Sequence, residues 1–214
     1  MDHIKTFEIG GVDWCVNTLT GKLLTISSSP LELISLHIPR FLPKGVEITS
    51  ISSNVLRGNF DKVSFDGGIK VEPRAFEHSK VNTVVWPTEN LEIPYACFYC
   101  SSVKQIFGIE NVVQVDFKAF SHSDIEKFKW PDGAKIIPPR CFEDSKLKEI
   151  EGVDNVCFIG AYAFCNTDLR KLDLACSSVL KIEAGAFSNM QKGFKLTSPY
   201  YMSEHDFACV FISE

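Results

Sequence analysis

Residues 97–142 read CFYCSSVKQIFGIENVVQVDFKAFSHSDIEKFKWPDGAKIIPPRCF. Two Cys-Phe pairs flank an Ala-Phe pair, and Phe98, Phe120 and Phe142 stand 22 residues apart. Outward from this stretch the anchor returns as Phe76 on one side and as Phe164 and Phe187 on the other, the last interval being 23. Leu56 holds the same place 20 residues before Phe76. Six aromatic anchors in phase mark an internal repeat. Other positions keep step with them. Three residues after each anchor comes a small hydroxyl: Ser79, Ser101, Ser123, Ser145, Thr167. Five after it comes an aliphatic (Val81, Val103, Ile125, Leu147, Leu169), and eight after it a further apolar residue (Val84, Ile106, Phe128, Ile150, Leu172). Five before it stand Val71, Ile93, Val115, Ile137, Ile159 and Ile182.

A longer period lies over the shorter one. The residue before the anchor alternates as Ala75, Cys97, Ala119, Cys141, Ala163. Trp86-Pro87 returns as Trp130-Pro131, and Gly108-Ile109-Glu110-Asn111-Val112 as Gly152-Val153-Asp154-Asn155-Val156, each 44 residues on. Odd and even copies are therefore distinct, as duplication of a two-copy unit would leave them. One copy cannot bury its own apolar positions; stacked copies place Phe on Phe and aliphatic on aliphatic in one continuous core. The short period leaves little room for α-helix, and VNTVVW, VKQIFGI, IEKFKW and LKEIEGV read as short strands. The expected fold is a β-rich solenoid of stacked rungs of about 22 residues with parallel strands.

The apolar-x-x-apolar-x-apolar segment, followed by a second half ending in Ala-Phe and a small residue, resembles the BspA-like leucine-rich repeats over roughly residues 30 to 190. Ser or Thr replaces the Cys usual in that family shortly after Ala-Phe, and the connection is one residue shorter. The resemblance implies a leucine-rich-repeat solenoid and a role in binding macromolecules, since members of the family are often surface proteins that bind host molecules.

The ends of an array must differ from its middle. Residues 1–29 read as an N-terminal β-hairpin cap, from FEI-GG-VDW and CVNT-LTG-KLLTI; residues 30–197 as the repeats, with Leu31, Ile34 and Leu36 in a divergent first rung; and residues 198–214, containing FACVFI, as a C-terminal cap. All of it is expected to form one domain, 1–214.

Composition excludes several functions. Apolar residues make up 45 % of the 214 and charged residues 23 %, which argues for a folded chain. Phe is over-used, 17 against five Tyr and three Trp, as a repeated Phe anchor requires. A net charge of −5 argues against nucleic acid as partner. No run of 18 apolar residues is present, so no membrane helix is expected. The start MDHIKTFEIGGVDW lacks the apolar stretch of a signal peptide, which gives a cytoplasmic expectation, with the cell surface as the alternative if a leader was removed. Eight Cys scatter through apolar segments as free, buried thiols would.

Candidate chemistry is sparse. Cys97-x-x-Cys100 lacks the second pair that a zinc site needs. Two residues after the anchors, His78, Cys100, His122, Asp144 and Asn166 form a column of ligand-type side chains, which is equally the polar position of a turn. Neither a nucleophile elbow nor a phosphate-binding glycine loop is present. No cofactor, no metal and no enzymatic activity are expected. What remains is the outward side of the strand after each anchor. Val85, Phe107 and Lys129, nine residues after their anchors, fall in one column, with Lys104, Lys127 and Lys148 beside it. An outward aromatic rimmed by charge is the usual centre of a protein-binding patch. The expected function is a non-enzymatic protein-binding module, a cytosolic inhibitor or adaptor that occludes another protein. The alternatives are a cell-surface adhesin-type repeat fragment and a metal-binding or enzymatic protein.

Overall fold

A computed structural model of the chain describes residues 3–28, 34–57, 59–174 and 181–197. Each 22-residue copy is one rung with two strands and, between them, a tight turn that carries the Phe anchor. The strand after the anchor builds the front of the solenoid: Lys80–Val85, Gln105–Phe107, Lys127–Lys129, Glu149–Glu151, Lys171–Asp173 and Lys195–Thr197, preceded by Ile34–Ile38 and Asn59–Phe65. The strand before the anchor builds the back: Lys70–Val71, Glu92–Ile93, Gln114–Val115, Ile136–Ile137, Phe158–Ile159 and Lys181–Ile182, preceded by Ser50–Ile51. Neighbouring rungs pair in parallel, with register advancing by one repeat: Val84 faces Ile106, Phe128 faces Ile150, Ile159 faces Ile182. Among the described residues the only helical turn is Pro43–Gly45.

At the N-terminal end Ile4–Ile9, Val12–Asn17 and Lys22–Ser28 form an antiparallel meander. The third strand then pairs in parallel with Ser50–Ile51 and Leu56–Arg57, so the meander turns directly into the back of the first rungs. Ile34–Ile38 begins the front by pairing with Asn59–Phe65. Leu31 and the segment 198–214 lie outside the described residues.

The core is an unbroken column of aromatic rings. Phe76, Phe98, Phe120, Phe142, Phe164 and Phe187 are all buried. Successive ring centroids are 5.0, 5.4, 5.2, 5.6 and 5.5 Å apart, with interplanar angles of 20° or less. These are offset-stacked pairs, favourable beyond the area they bury. Aliphatic columns flank them, Val81 to Leu169 in front and Val71 to Ile159 behind. Ile106 and Ile150, expected inside, are half-buried and pack against the core from its edge.

The turn keeps the rings in line through an unusual backbone. Residues two before and two after the anchor are left-handed: φ is +63°, +48°, +58°, +56° and +58° at Arg74, Ala96, Lys118, Arg140 and Tyr162, and +55°, +53°, +57°, +56° and +54° at His78, Cys100, His122, Asp144 and Asn166. Each such residue costs roughly 1 kcal/mol. The cost is offset because the turn forms a ladder of its own: Phe76, Phe98, Phe120 and Phe142 N–H groups donate to Cys97, Ala119, Cys141 and Ala163 carbonyls at 2.8–2.9 Å. The same repetition explains two of the glycines. Gly108 (φ +79°) and Gly152 (φ +75°) lie where a Cβ would stand 2.9 and 2.7 Å from the carbonyl oxygens of Trp86 and Trp130, so the Trp-Pro rungs accept only glycine opposite them.

The two strand ladders are not continuous. In front, the Phe76 and Phe98 rungs are paired, then Phe120 and Phe142, then Phe164 and Phe187; behind, Phe98 pairs with Phe120, and Phe142 with Phe164 and Phe187. From Phe76 to Phe164 each junction is thus tied on one face and split on the other, alternating rung by rung. This is the physical form of the 44-residue period.

Burial of the cysteines is narrower than expected. Cys97 and Cys141, in the position before the anchor, are free and fully buried, and desolvation pushes both thiols well above their ordinary pKa. Cys15, Cys100 and Cys157 are free but only half-buried, because they sit on the outward side of a strand or turn. Cys176 and Cys209 lie outside the described residues.

Phe120 is the test of the column: its ring is 0 % exposed and stacked on both sides. Phe120→Ala should cost about 3–5 kcal/mol, read as a fall in the urea midpoint. An unchanged midpoint would mean that the stack does not hold the array together.

Candidate partner-binding surface

The front strands alternate as a half-buried strand must. Their inward residues feed the core, and their outward residues form a face of mixed charge. Val85 is paired with Phe107 across the Phe76–Phe98 junction. Val85 is half-buried, whereas Phe107 is 53 % exposed. Lys129 is exposed on the next rung, but the front ladder is split between these two rungs. The split opens a cavity of about 240 Å³, walled by Ile106, Phe107 and Ile109 on one rung and Trp130 and Pro131 on the next. Lys129, Glu110 and Asp132 stand at its rim. An apolar pocket with a few polar groups at its mouth has the character of a site that receives a partner's side chain.

The lysines singled out by position fall into two kinds. Lys127 pairs with Glu149 at 2.7 Å and Lys148 with Glu126 at 2.8 Å, both across the tied Phe120–Phe142 junction. These contacts hold the Glu126 and Glu149 carboxyls below the usual range and raise the Lys127 ammonium. Both pairs bridge neighbouring rungs while their side chains stay exposed. Lys104 and Lys129 are exposed and have no ion-pair partner among the described residues. Phe107 and Lys129 therefore stand at the cavity, Val85 lies beside Phe107 on the neighbouring strand, Lys104 precedes that strand, and Lys127 and Lys148 lie on the tied junction beyond.

The column of His78, Cys100, His122, Asp144 and Asn166 occupies the left-handed turn position. His122 approaches Asp144 at 3.5 Å, and the Asn166 amide donates to the same carboxylate at 2.6 Å. No three His, Cys, Asp or Glu side chains meet as a ligand set among the described residues. The parallel projection of side chains from stacked rungs keeps them side by side rather than convergent.

The back carries features that the periodic template passed over. Leu91, Val113 and Ile136 are 52, 55 and 51 % exposed. The splits of the back ladder, between the Phe76 and Phe98 rungs and between the Phe120 and Phe142 rungs, open as clefts of about 510 and 470 Å³. In the first, the Asn90 side chain bridges the rungs, donating to the Ile69 carbonyl at 2.7 Å and accepting from the Val71 N–H at 3.3 Å. The sequence did hold a signal for these clefts, in the recurrence of Ile69-Lys70-Val71 as Val113-Gln114-Val115 after 44 residues.

On the turn edge Glu77 is 4 % exposed. Burial alone would raise its carboxyl, but hydrogen bonds from Arg74 and Asn54 outweigh burial and lower it. Arg74 grips it with two nitrogens at 2.6 and 2.8 Å. Arg140 and Glu143 repeat the pair three junctions further on.

A model of the BspA type leucine-rich repeat region matches residues 42–145 and 113–208, with six copies. No curated protein matches. Among solved structures, the chain is similar to a leucine-rich cell surface protein from Faecalibacterium prausnitzii A2-165, with a TM-score of 0.55 and 17 % identity over 86 % of this chain and 52 % of that one. The chain thus spans about half the length of that protein. A leucine-rich repeat protein from Bacteroides ovatus ATCC 8483 gives a TM-score of 0.35 at 14 % identity, over 98 % of this chain and 69 % of that one.

The buried Glu77 generates a pH-dependent expectation. With its lowered folded pKa, the carboxylate stabilises the wild-type fold above the ordinary carboxylate range and loses that contribution as pH falls. In Arg74→Ala the hydrogen bonds and charge of Arg74 no longer oppose burial, so the carboxylate contributes less stability. The variant should be clearly destabilised at pH 7, and its deficit should shrink as pH falls below the ordinary carboxylate range, read from thermal melts across pH. A deficit that does not depend on pH would exclude the ion pair as its cause.

Proposed function

Since this chain belongs to the BspA-type leucine-rich repeat family, we propose that it is a non-enzymatic module that binds a partner protein at a cell surface, through the front face around Phe107. The family and fold are typically scaffolds for recognition rather than catalysis. The observation that carries the reading is the half-exposed Phe107 ring beside the cavity opened by the front split. A ring left in water next to an apolar pocket gains by being covered, and the exposed Lys104 and Lys129 supply polar edges for an interface. Val85 extends the apolar centre onto the neighbouring rung, and Lys127 and Lys148, held by their carboxylates, shape its edge.

The surface location is supported by the leucine-rich cell surface protein whose fold this chain shares. A second reading, a cytoplasmic inhibitor or adaptor, is supported by the free thiols of Cys97, Cys100, Cys141 and Cys157, which suit a reducing compartment. Antibody labelling of intact source cells separates the two. Labelling without permeabilisation supports the surface module; signal only after permeabilisation overturns it in favour of the cytoplasmic one.

The docking face is tested by capturing the partner from its natural source and measuring its affinity for purified variants. Phe107→Ala should weaken binding by about 2 kcal/mol, roughly 30-fold, as interface anchors do. The melting temperature should stay within a few degrees, because an outward side chain contributes little to the core. Unchanged affinity with unchanged stability would move the partner to another surface.

A further inference from the structure

Where the front of the solenoid begins, Asp66, His37 and Ser64 form one hydrogen-bonded chain, and we infer that Ser64 is a nucleophile that accepts an acyl group from an activated donor, a thioester or aryl ester. His37 and Ser64 stand opposite each other in the parallel register of Ile34–Ile38 and Asn59–Phe65. His37 is exposed and Ser64 half-buried, each between buried neighbours of its strand that point inward. His37 Nδ1 lies 3.0 Å from Ser64 Oγ, and His37 Nε2 lies 2.9 Å from Asp66 Oδ1. The second Asp66 oxygen accepts the Arg40 backbone N–H at 2.8 Å, which fixes the carboxylate and holds it below its usual pKa range.

The bonding pattern sets the proton positions. A carboxylate only accepts, so Nε2 carries the hydrogen of the neutral imidazole. Nδ1 is left with a lone pair, and the Ser64 hydroxyl donates to it. A nucleophile, a base within reach of its proton and a third group that orients the base are the parts of an activated serine. The transfer follows from them. The Ser64 oxygen bonds to the acyl carbon as its proton passes to His37 Nδ1. The bond from that carbon to the leaving group breaks, and His37 returns the proton to the departing thiolate or phenolate. Asp66 stays ionised and supports the imidazolium between the two events.

The surroundings narrow the donor. Val63 faces Val84 on the next rung, so the side of Ser64 away from His37 borders the half-buried Val85, on which a short acyl chain rests. Lys62, two residues before Ser64 on the same side of the strand, is exposed and brings a positive charge near the oxyanion formed on attack. Asn59–Phe65 is paired on both of its edges, so the sheet takes up its N–H groups and leaves no backbone oxyanion hole. The donor must therefore bring a good leaving group, and the ester, once formed, turns over slowly. Ser64 is in this sense a modification site, in keeping with a module that is not an enzyme.

The test treats the whole chain with a biotinylated fluorophosphonate, which bonds phosphorus to a nucleophilic serine and expels fluoride, and maps the label by tandem mass spectrometry. Ser64 should carry it, and p-nitrophenyl acetate should leave an acetyl group on the same residue. Ser35, exposed two residues before His37, is the internal reference and should react about a hundredfold more slowly, the scale of general-base assistance. His37→Gln should slow Ser64 to the rate of Ser35, and Ser64→Ala should remove the label. Asp66 acts through His37, so Asp66→Ala has a second readout. The nitrogen NMR resonances of the His37 ring should show the proton fixed on Nε2 in the wild type and shared between both nitrogens in the variant. Phe107→Ala should leave labelling unchanged, which keeps this result apart from the front-face reading. An unlabelled Ser64, or one no faster than Ser35, overturns the inference; both are read on the wild-type chain, so they decide even where a variant misfolds. An equal rate in folded His37→Gln overturns it too, and an unaltered ring pattern in Asp66→Ala removes Asp66 from the positioning role.

Discussion

A phenyl ring buried in a 22-residue rung cannot be covered by that rung alone; it must stack on the ring above and the ring below. Six rings at 5.0–5.6 Å do this from Phe76 to Phe187, and other regularities of the chain follow from keeping them aligned. The period stays near 22 because each rung must return a ring to the column, and the one 23-residue interval still stacks Phe187 on Phe164 at 5.5 Å. In the Phe187 rung the left-handed position two before the anchor is Gly185, where earlier rungs use Arg, Ala, Lys or Tyr. Left-handed residues flank every anchor because only that backbone turns the ring inward while its N–H reaches the next rung. The surface is free to vary wherever this constraint does not act.

That division decides what could be read from the sequence. The anchors, the aliphatic columns and the front strands were legible because burial imposes residue types at fixed offsets. The outward placement of Phe107 followed from strand alternation. Its cavity did not, because the split in the front ladder is a matter of backbone hydrogen bonds, to which side-chain identity gives no direct clue. The alternation of Trp-Pro with Gly-Ile was visible, but its meaning, that each junction is tied on one face only, emerged from the pairing.

Other residues were obscured for local reasons. Val112 and Val113 are adjacent and alike, yet one is buried and the other more than half exposed; type alone cannot say which. Leu91 stands seven residues before its anchor, at an offset it shares with the buried Ile69 and the exposed Val113, so residue type there does not decide burial. The polar column from His78 to Asn166 has the composition of a ligand set, but stacked rungs project its side chains in parallel, and no three of them meet among the described residues. The cysteines divide by position, buried immediately before an anchor at Cys97 and Cys141 and half-buried at the other described sites.

Alternating ties have a mechanical consequence. A junction joined at the front and open at the back is a hinge that yields toward the back; its neighbour yields toward the front. Small rotations of opposite sense cancel in pairs, so the array can stretch or flex over a few rungs without acquiring net curvature and without sliding one ring off another. The turn ladder, uninterrupted from rung to rung, acts as the spine about which these hinges open. A module built this way can take up strain from a pulled partner in its splits, the same places where its cavities lie, so that tension along the axis and the width of its pockets are mechanically linked.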